Sequence, residues 1–230
     1  MTGTGTTSVI IPVLNGEKYI GAALESVRGQ TRPVGEVFVI DDGSTDGTLA
    51  VLRAFPEVTV VHQENRGPAA ARNRAIALAR GDYLAMLDAD DVWPPERNDV
   101  LAGVLDANPS VGVVMGLQKL LVEPGAVLPY WVPPGDPENV DPQQLPKPTG
   151  AFLARRSVFD LVGSYDEALR HAEDTDWFLR SKDLGVGWAD IPDVVLIRRI
   201  HGANLTHDAA AQHRALFEVL QRRMARRRST

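Results

Sequence analysis

Cysteine is missing from this 230-residue chain. Its absence excludes disulfides, Cys-ligated zinc and thiol nucleophiles, and agrees with a reducing compartment. Long apolar runs are missing too: no stretch reaches the roughly 18 residues that a membrane-spanning helix needs. No basic-then-apolar leader opens the sequence. Positive charge is in short supply, with 24 Lys and Arg against 30 Asp and Glu and a formal net charge of −6. Such a chain neutralises few phosphates, so nucleic acid is not an expected partner. No G-x-G-x-x-G follows an apolar strand, which argues against a dinucleotide-dependent oxidoreductase. Gly3 and Gly5 precede the first strand and do not count. These absences make a cytoplasmic protein the expectation.

What is present can bury a sizeable core, since 44% of the residues are hydrophobic. Short apolar runs alternate with helix-like stretches. Residues 8–12, 36–41, 58–62, 83–88 and 111–116 read as strands, and 19–28, 48–54, 69–80 and 95–106 as helices. The strands are apolar throughout, as in a mostly parallel sheet covered on both faces. The expected class is α/β, a single continuous domain with halves at 1–116 and 117–230. Ligands in such sheets bind at the carboxyl ends of the strands. Residues 12–15, 41–44 and 88–91 occupy those ends, and two of the three segments are acidic.

Eight of the 16 prolines fall within 122–148. Proline fixes φ and removes a backbone donor, so this stretch is expected to be neither helix nor central strand. Tyr130 and Trp131 in its middle favour a loop that touches something. Beyond it, 150–153 reads as extended, 157–161 and 175–184 as helices, 194–199 as a strand and 209–226 as a helix. That last helix ends in Arg222, Arg223, Arg226, Arg227 and Arg228. Its first reading packs Leu216, Phe217, Leu220 and Met224 against the body and leaves the basic end solvated. Peripheral contact with an anionic membrane and a homodimer contact are the two others.

Five constellations carry possible chemistry. Asp88-Ala89-Asp90-Asp91 ends an apolar strand with three carboxylates whose charges oppose one another. A divalent cation such as Mn²⁺ or Mg²⁺ relieves that conflict, and such ions use one or two carboxylates plus substrate phosphates; a solvated acidic turn is the alternative. Asp41-Asp42-Gly43-Ser44 offers acceptors for ribose or base groups, or is simply a turn with a helix cap. Asn65-Arg66-Gly67-Pro68 leads into a helix whose N-terminus favours anions, with Arg72 able to meet phosphate or a surface carboxylate. His171-Ala172-Glu173-Asp174-Thr175-Asp176-Trp177 places three acids at a helix start, which suits its positive end or supplies a general base. His201 after the last strand reads as structural or as a further metal ligand.

Taken together these segments resemble the inverting family-2 glycosyltransferases of the GT-A fold. The motifs run in the family's order over residues 8–204: V-I-I-P-V-L-N-G, V-I-D-D-G-S-T-D-G-T, N-R-G-P-A-A-A-R-N, L-D-A-D-D, G-A-F-L-A-R-R-S-V-F with G-S-Y-D-E, A-E-D-T-D-W and R-I-H-G-A-N-L-T. The resemblance implies a Rossmann-like, mostly parallel central sheet with a C-terminal acceptor-side region. Residues 1–116 would bind a nucleotide-sugar, a UDP-sugar by preference, and 117–230 would bind the acceptor and carry the base. It implies substrate contacts at Pro12, Asn15, Asp41, Asp42, Gly67, Arg72, Asp88, Glu173 and Trp177. Asp90, with Asp88 and His201, would hold the metal, Asp91 would lie beside them, and Asp174 would be the general base. The acceptor could be a glycan, a lipid carrier, a peptide or a small molecule. The family's Q-x-x-R-W element and membrane helices are absent, which argues against a processive synthase. A sugar nucleotidyltransferase would need a Gly-rich basic loop after the first strand, where this chain has Pro12-Val13-Leu14-Asn15-Gly16-Glu17-Lys18. A non-catalytic nucleotide-sugar-binding protein is the remaining alternative.

Overall fold

The computed structural model describes residues 4–169, 171–202 and 209–228. The first half alternates β1 (Thr7–Val13), α1 (Ile20–Arg28), β2 (Glu36–Asp41), α2 (Thr48–Leu52), β3 (Thr59–His62), α3 (Pro68–Leu78), β4 (Tyr83–Met86) and α4 (Arg97–Ala107). The second half follows with β5 (Val113–Val122), β6 (Phe152–Arg155), α5 (Arg156–Val162), α6 (Glu173–Asp183), β7 (Trp188–Ile200) and α7 (Ala209–Arg228). The strands join in one sheet of order β3-β2-β1-β4-β6-β5-β7. β3, β2, β1 and β4 are parallel. β6 runs antiparallel to both of its neighbours, and β5 and β7 are parallel again.

The alternation of side chains along β1 builds both layers of the core. Val9, Ile11 and Val13 face the layer of Ile20, Ala23, Leu24 and Val27 from α1. Ile10 faces the other way, onto Ala69, Ala71 and Ala75 of α3. Small alanines let α3 approach the sheet closely. Its entry is set by Gly67 at φ 88° and by Pro68, whose missing N–H costs nothing at a first helical position.

Three features depart from the sequence reading. β5 does not stop at Gly116 but runs on to Val122, and β7 begins at Trp188 rather than Val194. The two continue together, with Leu117 to Val122 paired to Val194 to Ile200. Gly116 suggested a strand end, yet it marks a register shift inside the strand, where a Cβ would lie 2.6 Å from Val195. The proline-rich stretch forms short 3-10 turns at Pro137–Asn139 and Pro142–Gln144. It packs Val132 and Leu145 on Leu120 and Ile200.

The third departure is α7. Phe217 is 63% exposed and Met224 56%, with Leu216 and Leu220 also exposed, while Val219 is the apolar residue that is buried. The basic end is not simply solvated either. Arg222 pairs with Asp166, Arg223 and Arg227 with Asp183, and Arg226 with Asp176. Ionic contacts, not the apolar stripe, hold this helix. Among the described residues no helix is long and apolar enough to cross a membrane.

Candidate active site

The acidic turn is built where β4 ends. Leu87, fully buried, bonds its N–H to Ile10 O, and Asp91 N closes the turn on Asp88 O at 3.1 Å. Val92 then pairs with Ile197 of β7. The buried Asp91 accepts the Arg199 N–H at 2.8 Å, and Arg199 Nε donates to Asp90 O at 3.0 Å. β7 thus stitches the turn in place, and one residue later His201 sets Nε2 3.0 Å from Asp90 Oδ2. The His201 ring stacks on Tyr19 with centroids 4.6 Å apart. Tyr19 and Lys18 both donate to Glu123 at the end of β5.

Burial, and next the charge of Asp88, raise the Asp90 pKa from its ordinary value. Asp91 is pushed up further, by burial first and then by the charges of Asp90 and Asp88. The cluster therefore opposes its own ionisation, as expected of groups that share a cation. Among the described residues no three carboxylate or imidazole groups converge as a ready metal cage. The expected Asp88, Asp90 and His201 set is not assembled as such, because Asp88 is engaged by Arg72 and His201 by Asp90. A hard cation bound through one or two carboxylates and substrate phosphates needs no such cage.

At the neighbouring strand ends, Pro12 is half-buried in β1 opposite Ile40. Asn15 adopts φ 53° and accepts Thr45 N at 2.8 Å, while its own N–H donates to Ser44. Asp41, fully buried, accepts Ser44 N and lies 2.6 Å from His62 Nδ1. Asp42 accepts from Gln63 Nε2, Arg66 N and Gly67 N at 2.7, 2.9 and 2.8 Å. Both aspartates therefore organise loops along this rim. Among the described residues no atom lies within 4 Å of where a Cβ on Gly67 would stand, so its face is open.

Arg72 links the acidic turn to the second half. Its guanidinium, buried on α3, donates to Asp88 at 2.7 Å and to Glu173 at 2.6 Å. Its Nε has no partner among the described residues. Burial alone would lower its pKa, but the charges of Asp88 and Glu173 more than offset this and raise it. Glu173 is raised by burial, with Arg72 pulling it back down. Next to Glu173, Asp174 sits half-buried in the first turn of α6. Its Oδ2 accepts a hydrogen bond from Thr149 Oγ1 and its Oδ1 one from Thr175 N. The residue before this turn, Ala172, is left-handed at φ 59°.

Trp177 does not face a cleft. It is fully buried, stacked on Phe159 at 4.3 Å, with Nε1 donating to Gly163 O. Its position one turn into α6 fixes the helix that carries Asp174, and any role at the acceptor is indirect.

Sequence reasoning missed Thr149, Tyr19, Glu123 and Arg97. Arg97 is fully buried, stacks 3.6 Å over Trp93 and donates to Phe152 O at 2.7 Å. Burial pushes its pKa down to about 9. It secures the turn that presents Thr149. Nothing in the sequence couples residues 149 and 174, although Thr149 in the Pro-Thr-Gly step was a visible hydroxyl.

A mixed, mostly parallel sheet with carboxylates at its strand ends is the arrangement of the GT-A fold. The UDP complex of Staphylococcus aureus TarS, residues 1–349, superposes with a TM-score of 0.65 at 25% identity, over 85% of this chain and 60% of that one. A Pyrobaculum calidifontis mannosyltransferase solved with GDP-Man and Mn²⁺ gives a TM-score of 0.72 at 23% identity, over 97% of this chain and 65% of that one. The chain belongs to the family described as Glycosyl transferase family 2, whose model matches residues 8–172. It is 30% identical over 203 residues to Escherichia coli chondroitin synthase, covering 86% of this chain and 29% of that protein. It is 29% identical over 216 residues to an uncharacterized glycosyltransferase of Rickettsia typhi, covering 89% of this chain and 67% of that protein. The final residues of the R-I-H-G-A-N-L-T motif, 203–206, lie outside the described residues.

Proposed function

We propose that this chain is a metal-dependent, inverting glycosyltransferase that moves a sugar from a nucleotide-sugar, UDP-linked, to an acceptor hydroxyl. The observation that carries the reading is Arg72. It joins the self-opposing carboxylate turn at Asp88 to Glu173, the neighbour of Asp174, so two chemically distinct carboxylate groups face one rim. The order of motifs across the family match and the UDP bound to TarS support the donor class.

In this reading Pro12, Asn15, Asp41 and Asp42 shape the nucleoside end, and the open Gly67 face admits the donor backbone-close. Asp90, with Asp88, would hold Mn²⁺ or Mg²⁺ for the donor phosphates, and His201 positions Asp90. When bound, the ion supplies Lewis-acid neutralisation of the leaving diphosphate. Asp174 takes the proton of the acceptor hydroxyl as it attacks. An ionised carboxylate has about four lone-pair sites, so Asp174 retains acceptor capacity beside its bonds from Thr149 and Thr175. Those two bonds aim it. A single displacement needs no protein nucleophile and inverts the anomeric carbon. The acceptor, whether glycan, lipid carrier, peptide or small molecule, would enter on the α6 side.

Calorimetry and thermal unfolding with UDP-GlcNAc, UDP-glucose and GDP-mannose, each with and without Mn²⁺, test this. A matching donor at about 100 times its Kd stabilises the fold by about 2.7 kcal/mol, only with the ion, and Asp90→Ala abolishes the effect. Slow release of nucleoside diphosphate completes the expectation. Ion-independent binding, or tight binding with no turnover, refutes the reading.

A further inference from the structure

We infer that the outer face of α7 docks on an anionic lipid surface. Projected at 100° per residue, Leu216, Leu220, His213, Met224 and Phe217 fall on one arc about 100° wide. Phe217, Met224, Leu216 and Leu220 on it are exposed at 63, 56, 42 and 42%. Tyr130, itself 56% exposed, packs edge-on against His213 at 5.1 Å and extends the surface into the proline-rich loop. Arginines stand in and around the arc: Arg223 at one edge, Arg227 between Leu216 and Leu220, and Arg214 about 60° beyond the Phe217 edge.

Charge selects the occupant. The chain as a whole carries −6, yet α7 holds six arginines against one glutamate. Asp166, Asp176 and Asp183 answer only part of that charge, since Arg223 and Arg227 share Asp183. An apolar stripe with arginines in and beside it suits a helix lying in a bilayer interface, its stems buried and its guanidinium groups among the headgroups. A second copy of this chain would set this arginine-bearing face against itself. The body-side contacts orient the helix: Arg226 and Arg222 grip Asp176 and Asp166 from the opposite side, so docking leaves the stripe outward. Through Asp176 on α6, the same helix that bears Asp174, docking would bring the rim close to the bilayer. The docking itself does not depend on the proposed reaction.

The test is co-sedimentation of the full chain with vesicles of phosphatidylcholine alone and of phosphatidylcholine with phosphatidylglycerol, over a range of salt. Binding is expected to the anionic vesicles and to weaken as salt rises. The Phe217→Asp/Met224→Asp double variant should lose more than ~10-fold in partitioning. Arg214→Glu, which keeps the stripe, should lose roughly 5-fold or more. Unchanged circular dichroism and unfolding temperature in both variants establish that the fold is intact, and each variant alone suffices as a check. Absence of binding, equal binding to neutral vesicles, or full retention in both variants overturns the inference. So does a concentration-dependent dimer, seen by sedimentation velocity without vesicle binding, that the double variant abolishes.

Discussion

Replacing Arg72 with methionine separates a structural link from an incidental contact. The Arg72 side chain is 6% exposed and that of Glu173 9%, so this is a buried pair, while Asp88 at 40% is largely solvated. Removing one partner of a buried pair costs about 3–5 kcal/mol, because the other charge is left uncompensated. The exposed Asp88 contact adds at most about 1 kcal/mol. For a chain of this size, roughly 2–4 °C per kcal/mol converts this to a fall of roughly 6–24 °C in unfolding temperature. The loss should depend on pH in a defined direction. Burial already raises the Glu173 pKa and Arg72 restrains it, so Arg72→Met lifts it further. A folded pKa above the unfolded value of about 4.3 means that the folded state holds the proton more tightly. Stability from that group is present below the unfolded pKa and is lost as pH rises through the folded one. Arg72→Met should therefore be least damaging near pH 4 to 5 and most damaging at neutrality. Adding Glu173→Gln removes the stranded charge and should recover most of the loss at neutral pH. Chemical denaturation across pH reads all of this. A deficit that does not vary with pH, or one that Glu173→Gln deepens, refutes the reasoning.

Asp174→Asn should keep donor affinity and lose about 10²–10⁴-fold in kcat, measured as nucleoside diphosphate release; equal loss of donor binding would make Asp174 structural. Thr149→Val removes a hydrogen bond to a charged acceptor worth about 1.5–3 kcal/mol, so kcat should fall roughly 10- to 100-fold with donor KM unchanged. Thr149→Ser should restore it, and a matching loss in the serine variant would refute the positioning role. Ala172→Gly relieves a left-handed alanine costing about 1–2 kcal/mol, against about 0.5–1 kcal/mol for added chain freedom. Thermal denaturation should show a net gain of about 0.5–1 kcal/mol, and a loss would mean the conformation at φ 59° is not strained.

The parallel half of the sheet was legible because its strands are short, apolar and punctuated by turn residues. Strand-end logic then placed the acidic turn at the rim without any contact information. The elements that escaped are those whose pattern is set by distant partners. Gly116 ends an apolar run, but its meaning is close packing on Val195, 79 residues on in the chain (195 − 116). Trp177 follows a run of acids and looked like part of a binding surface, whereas a helix carries one face inward whatever the other does. The stripe of α7 has the periodicity of a packed helix, and periodicity cannot say whether water, lipid or protein lies opposite. The Thr149 hydroxyl was visible but its role was not, because a hydrogen bond between positions 149 and 174 leaves no trace in either neighbourhood.

The paired ends of β5 and β7 have a consequence for how this rim tolerates change. Glu123, Arg199 and His201 all ride on a two-stranded arm that outruns the rest of the sheet, and neighbouring side chains on such an arm point to opposite sides. A one-residue deletion between Asp190 and Val194 would therefore turn Arg199 away from the acidic turn and, in the same step, turn Val195 and Leu196 out of the core. This length of chain, irregular as its register is, is counted to the residue.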